Sequence, residues 1–341
     1  MTVLIGVDPH KGSHTAVAID RDEQALGELR VRSSKKQCDE LLAWAARFER
    51  RRWAIESATG WGYLLAQQLV AAGEDVVDVP PVLSARVRVL DSTRSSKNDP
   101  NDARSAAIVA LRHRRLRTVV ADDHSSILRM LANRHHQLNR LRTQAVNRLH
   151  SQLANLVAGG LPGRLSVKRA GELLESLELS DGVAAERKHQ AMSLLEDVAR
   201  LDAELAVVKR RIVVAVDAAN TSVTDVYGVG PIVAAIVIGH TGDVGRFKTR
   251  DQFATYAATA PIDASTGDNS RHRLNTRGNR QLNHAMHMAA VTQVRNDTPG
   301  RAYYERKQAE GKTKKAALRS LKRRVTDAVY RQLVADAASH A

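Results

Sequence analysis

Lys97-Asn98-Asp99-Pro100-Asn101-Asp102-Ala103-Arg104 is the stretch on which the reading of this chain turns. Asp99 is the expected N-cap of a helix and Pro100 its first residue, where a missing N–H costs nothing. Asp102 follows three residues later and projects from the same side as Asp99. Taken alone, two acids at the positive end of a helix dipole form an ordinary capping arrangement. Their meaning changes because two more acids fall at the ends of expected strands upstream.

Val3-Leu4-Ile5-Gly6-Val7 is a short apolar run of the kind a buried strand carries, and Asp8 follows it directly. Residues 14–19 and 26–31 read as a second and a third strand joined by short turns. The spacing of Leu41, Leu42, Trp44 and Ala45 predicts a helix over 35–48. Trp53-Ala54-Ile55 predicts a fourth strand with Glu56 at its C-terminal end. A helix over 62–72, a strand at Val76-Val77-Asp78-Val79 and a helix over 83–90 lead to the acidic helix. The order β-β-β-α-β-α-β-α is that of the ribonuclease H-like fold, so the chain reads as α/β followed by all-α. In an open mixed sheet, groups at the carboxyl ends of strands converge on one crevice. Asp8, Glu56, Asp99 and Asp102 are therefore expected as neighbours. Four gathered acids repel one another unless a cation sits among them, and hard oxygen ligands suit Mg²⁺ or Mn²⁺. Singly, Asp8 reads as a turn residue before Pro9, and Glu56 as a strand-end acid near Arg51 and Arg52.

The 341 residues are too many for one small core and point to two or three domains. An excess of 52 Lys+Arg over 37 Asp+Glu gives a formal net charge of +15, which favours a polyanionic partner, nucleic acid before a membrane surface. Residues 301–341 carry eleven Lys/Arg against four Asp/Glu. A single cysteine, Cys38, excludes an intramolecular disulfide framework and a Cys-rich zinc site. His10, His113, His135 and His136 form no ligand spacing and read as helix-surface residues. There is no signal peptide and no apolar run long enough to span a bilayer, so no membrane partner is expected and the location is read as cytoplasmic.

Further along, residues 122–157 turn helical, with Leu131, Leu138, Leu141, Ala145, Leu149 and Leu156 on one side. Gly159-Gly160-Leu161-Pro162-Gly163 breaks the pattern. A second long helix over about 184–216 carries a heptad stripe through Val198, Leu201, Leu205, Val208 and Ile212. Such a seam forms an internal coiled coil or pairs with another subunit, and simple core packing is the plainer alternative. Val226-Tyr227-Gly228-Val229-Gly230-Pro231 before an apolar helix is like the hairpin of a helix-hairpin-helix module, where glycine N–H groups contact a phosphate. A plain turn fits it equally well. Ser265 and Thr266 stand beside Gly267, followed closely by Arg271, Arg273, Arg277 and Arg280. Hydroxyls with a positive surround suit a nucleophile directed at phosphate, although by itself the stretch reads as a surface turn. The last helices carry Lys312, Lys315, Arg319, Lys322 and Arg323, an expected face for phosphates or RNA.

Taken in order, Ile5-Gly6-Val7-Asp8, Ile55-Glu56-Ser57-Ala58-Thr59-Gly60, Lys97-Asn98-Asp99-Pro100-Asn101-Asp102-Ala103, Gly228-Val229-Gly230-Pro231 and Arg277-Gly278-Asn279-Arg280-Gln281-Leu282 resemble the transposases of the insertion-sequence-110 family over nearly the full length. The resemblance implies a RuvC-like DEDD domain, a coiled-coil middle and a small, mostly helical transposase domain; we place these at 1–118, 119–218 and 219–341. It implies a metal-binding tetrad of Asp8, Glu56, Asp99 and Asp102, and a serine that attacks DNA to form a covalent phosphoserine link. It further implies a non-coding bridge RNA that pairs with donor and target DNA. In the family the serine stands immediately before the glycine. Here Thr266 holds that position and Ser265 comes one residue earlier, so both are candidates; a primary hydroxyl is the less crowded nucleophile, and Thr is stiff at χ1. A homo-oligomer, dimer or tetramer, held partly through the 184–216 helix is expected. The alternative function is a RuvC-like junction resolvase in which the four acids activate water. A non-catalytic nucleic-acid-binding protein is a third reading, and the complete tetrad argues against it.

Overall fold

The structure is a computed structural model that describes residues 2–91, 99–113, 116–163, 165–178, 182–263, 272–273, 275 and 278–339. The chain divides into two compact units, Met1–Asp122 and Asp123–Ala341.

The first unit is a sheet with helices on both faces. Its strands are β1 (Val3–Pro9), β2 (Ser13–Ile19), β3 (Ala25–Arg32), β4 (Arg51–Glu56), β5 (Val76–Val79) and β6 (Arg117–Thr118), and its helices are α1 (Gln37–Ala45), α2 (Tyr63–Ala71), α3 (Pro81–Asp91) and α4 (Asp99–Arg112). The sheet order is β3-β2-β1-β4-β5-β6. β1, β2 and β3 form an antiparallel meander, while β1, β4 and β5 run parallel. This is the ribonuclease H-like topology expected from the element order. The short β6, antiparallel to β5, was not foreseen.

The period of two along a strand decides which face each residue serves. Ile5 and Val7 of β1, with Trp53 and Ile55 of β4, pack with Leu41 of α1 and with Leu65 and Leu69 of α2. Leu4 and Ala54 serve the other face, against Ala103, Ala106, Ala107 and Ile108 of α4. Gly6 lies on that second face as well. A Cβ built there would fall 1.9 Å from the Ala103 carbonyl oxygen, so α4 rests directly on the backbone of β1. Asp8 continues the series Leu4, Gly6, Asp8, and Glu56 continues Ala54. Both acids therefore share a face with α4. The helix itself starts at Asp99, one residue earlier than expected, with Pro100 second.

The second unit is almost wholly helical: α5 (His124–Leu156), α6 (Val167–Ser176), α7 (Gly182–Ala218), α8 (Pro231–Thr241), α9 (Arg250–Tyr256), α10 (Arg280–Arg295), α11 (Pro299–Ala309) and α12 (Lys314–Ser339), with a small antiparallel pair of β7 (Ile262–Asp263) and β8 (His272–Arg273). α5 and α7 pack antiparallel: His124 bonds the Ala215 carbonyl at one end, and Gln152 meets Gln190 towards the other. Arg134–Glu204 and Arg142–Asp202 ion pairs flank the seam between them. The heptad stripe is thereby spent inside the chain. Leu201, Val208 and Ile212 are buried in one core with Leu131, Leu138, Val237, Met286 and Val329. That core draws on α5 and α7 as well as α8, α10 and α12, so the segments 119–218 and 219–341 meet in it. Gly239 of α8 repeats the device of Gly6, since a Cβ there would lie 2.4 Å from the Arg129 nitrogen of α5. Gly228 adopts φ +86° and presses on Ala289 of α10, and Gly230 caps α8 ahead of Pro231. Both glycines of the hairpin-like stretch thus have a local structural task.

Candidate active site

Asp8 and Glu56 stand at the carboxyl ends of adjacent parallel strands, one step beyond the Val7–Ile55 pair in the register. After Glu56 the chain turns sharply. Ser57 takes φ +52°, its N–H bonds the Val79 carbonyl, and the Ala58 N–H donates to Asp78 Oδ1 at 2.9 Å. These bonds fix the strand end that carries Glu56. Burial pushes the Asp78 carboxyl up, against the pull of the Ala58 N–H and of Arg117.

α4 brings the other two acids. His10, just past β1, links its start to the sheet: its Nε2 lies 3.2 Å from Asp8 Oδ2 and 3.3 Å from Asp99 Oδ1. Among the described residues, Asp8, His10 and Asp99 are the group of potential metal ligands whose donor atoms all fall within 4.8 Å of one another. Arg30 of β3 reaches Asp99 Oδ2 at 3.3 Å. Asp102, with a side chain 8% exposed, receives Arg88 of α3. Glu56 is half-buried. Burial, with Asp8 and Asp102 near it, pushes its carboxyl above the usual range, while the Ser84 hydroxyl and Arg88 pull it back. The effect of Asp8 and Asp102 on Glu56 places the three acids in one electrostatic neighbourhood.

The donor set fits a divalent cation. Carboxylate oxygens are the ligands of Mg²⁺ and Mn²⁺, and an imidazole nitrogen is tolerated better by Mn²⁺. The sequence-predicted acids thus gather at one end of the sheet, with Asp8 and Asp99 joined through His10 and Glu56 and Asp102 on the side that α3 supplies. Sequence reasoning set His10 aside and did not name Arg30 or Arg88. His10 could have been found: it lies two residues after Asp8, and that spacing keeps a side chain on the same face of an extended chain. Arg30 and Arg88 come from separate elements, and nothing in their local sequence marks them.

In the second unit, Ser265, Thr266, Arg271 and Arg277 lie outside the described residues. Arg273 belongs to β8, whose backbone pairs with β7 through Ile262. Arg280 is the exposed first residue of α10, and the preceding Asn279 caps that helix by accepting from Gln281 and Leu282 N–H groups. Gly278 sits so close to Ala258 and to the Tyr256 carbonyl that a Cβ would overlap both. Lys312, Lys315 and Arg319 are exposed. Lys322 turns inward and donates to Asn283 Oδ1 at 2.8 Å, and burial beside Arg319 lowers its pKa. Arg323 is held by Asp327 and Asp251. The charges of Lys322 and Arg323 are therefore engaged within the unit.

Comparison with known proteins agrees with this architecture. The DEDD transposase family of IS110 matches residues 5–157, and the transposase IS116/IS110/IS902 family matches residues 220–305. The chain is 26% identical to the insertion element IS116 uncharacterized 44.8 kDa protein of Streptomyces clavuligerus, over 97% of this chain and 94% of that protein. It is also 26% identical to the insertion element IS900 uncharacterized 42 kDa protein of Mycobacterium paratuberculosis, over 99% of this chain and 97% of that one. Among solved structures, Thermus thermophilus RuvC is similar at 14% identity and a TM-score of 0.27, covering 34% of this chain and 99% of RuvC. The chain has a ribonuclease H-like unit joined to a helical unit. It belongs to the IS110 family of transposases, enzymes of DNA transposition and recombination. No helix among the described residues is long and apolar enough to cross a membrane.

Proposed function

We propose that the chain is an insertion-sequence transposase that cuts and rejoins DNA through a serine–DNA link, using an acid site built from Asp8, His10, Glu56, Asp99 and Asp102, and that a bridge RNA selects its donor and target DNA. The observation that carries the acid site is the approach of Asp8, His10 and Asp99 to within 4.8 Å, with Glu56 and Asp102 beside them. Asp8, Asp99 and His10 would hold a divalent ion, with Glu56 and Asp102 completing its surroundings. A bound divalent cation there supplies charge to activate an attacking oxygen and to stabilise a leaving one. In the proposed step the hydroxyl of Ser265, or of Thr266, attacks phosphorus. The new bond is Oγ–P, the bond to one deoxyribose oxygen breaks, the hydroxyl proton passes to a base, and the departing oxygen takes up a proton. The acids and the hydroxyls belong to different units, so the reading requires that they be brought together on DNA, within one chain or between copies in an oligomer.

Trapping the adduct on a cleavage substrate and mapping it by mass spectrometry tests the reading. Ser265→Ala is expected to remove the adduct and Thr266→Ala only to weaken it. The reverse result transfers the role to Thr266. An adduct that survives both changes refutes the assignment of this loop and gives the role to another side chain, whereas metal-dependent cleavage that proceeds with no adduct gives the reaction to water and makes the protein a resolvase-like nuclease. Sequencing RNA that co-purifies with the protein tests guide dependence.

A further inference from the structure

We infer that the cleft between the start of α9 and the middle of α12 is a docking site for the phosphate backbone of duplex DNA. The cleft has a volume of about 740 Å³. Lys248 and Arg250 form one wall, Arg324 and Arg331 the other, and all four are exposed. Against these four cations the lining contains one carboxylate, Asp327, which accepts a bond from Arg323 Nε at 3.0 Å.

The floor beneath these cations is firm. The Phe253 and Tyr330 rings lie 5.5 Å apart, and the Tyr330 hydroxyl donates to the Phe247 carbonyl at 2.9 Å. Arg246 lies over both Phe247 and Tyr256, and the Thr249 hydroxyl caps α9. The two walls are thereby locked to each other while their four charged residues stay exposed, Arg324 with its guanidinium over the Tyr303 ring. Arg324 and Arg331 are two turns apart, about 10 Å along α12. That is the axial span of about three phosphates on one strand of a duplex.

The occupant follows from what the lining lacks. Sites for unpaired strands offer free aromatic faces on which bases stack. The one aromatic side chain here, Tyr330, has its ring against Phe253 and its hydroxyl in use. A paired backbone is the polyanion that needs only cations. The choice of DNA over duplex RNA rests on the transposase reading above.

The test measures binding of the full chain to a short duplex DNA by fluorescence anisotropy across a salt series. Arg324→Ala with Arg331→Ala is expected to reduce the slope of log K against log salt by about 2, since each lost phosphate contact removes about 0.9. Adding Lys248→Ala and Arg250→Ala should reduce it by a similar amount again. Arg324→Lys with Arg331→Lys keeps the charges and should keep the slope. Circular dichroism melts confirm that each variant is folded, and Mn²⁺ calorimetry confirms that the acid site is unaltered. Unchanged affinity and slope in folded variants overturns the cleft and leaves the acid-site reading to its own test. Loss confined to a duplex RNA probe, with DNA binding intact, overturns the DNA assignment.

Discussion

Neighbouring charged residues fare differently in the two units. At the end of the sheet, Asp8 and Glu56 lie one step past a residue pair in a parallel ladder, and each faces the side its place in the strand dictates. On α12, Lys322, Arg323 and Arg324 are consecutive, yet one donates to Asn283, one is held by two aspartates and one lies over Tyr303 in a basic cleft. A strand permits two directions, and the apolar pattern says which is which. A helix permits a full circle of directions, and its neighbours in space decide each fate. A list of cations on a helix is thus weaker evidence for a binding face than a list of acids at strand ends is for a site.

The sharpest test of the sheet side is Asp102→Asn. It should lower DNA cleavage by about 10³-fold, the scale of losing a principal electrostatic stabiliser, with an unchanged melting curve. Near-normal cleavage would reduce the acid cluster to a structural feature. On the helical side, Leu201→Ala should cost about 2–5 kcal/mol in denaturant unfolding, because Leu201 is buried in the shared core. Its light-scattering mass should not change; a fall in mass would show that the seam also joins copies. Gly6→Ala should cost about 1–3 kcal/mol or more through overlap with α4, whereas Gly12→Ala, with nothing within 4 Å, should be nearly silent. Equal effects would mean that α4 can shift freely on the sheet.

His10→Gln is a finer probe. Mn²⁺ affinity measured by calorimetry should fall about tenfold, and an unchanged value would remove His10 from the donor set. The smallest expected effect concerns pH. Burial and the nearby Arg129 lower the His240 pKa, so the folded unit keeps that ring neutral while the unfolded chain binds a proton. Its contribution is present above the ordinary histidine value of about 6.5 and is lost as pH falls below it. His240→Gln should flatten the loss of stability between neutral and mildly acid pH, and a slope identical to that of the unaltered chain would contradict the assignment.

Much of the sheet unit was legible because its signals are local. Apolar runs marked the strands, and an acid directly after a run marked a strand end. The order of elements then implied the topology. His10 was passed over because a lone histidine carries no signal until α4 arrives with Asp99. Arg88 and Arg30 were invisible for the same reason, being brought in by α3 and β3. In the helical unit the long helices were legible from their stripes, but the partner of the α7 stripe was not. Period shows that a face is covered and is silent on what covers it; here it is α5 of the same chain. The hairpin-like glycines fit a phosphate contact or a plain turn in the sequence, and the packing of Gly228 against α10 was not legible there.

Gly6 bears on how a chain of this kind can diverge. It offers no donor atom to the site, yet α4 rests close against β1 because position 6 has no side chain. A larger residue there would lift the helix and carry Asp99 and Asp102 away with it. A descendant could then keep all four acids in its sequence and own no common site. Inspection of the acids alone would count it as intact, and the loss would be written in a residue that takes no part in the chemistry.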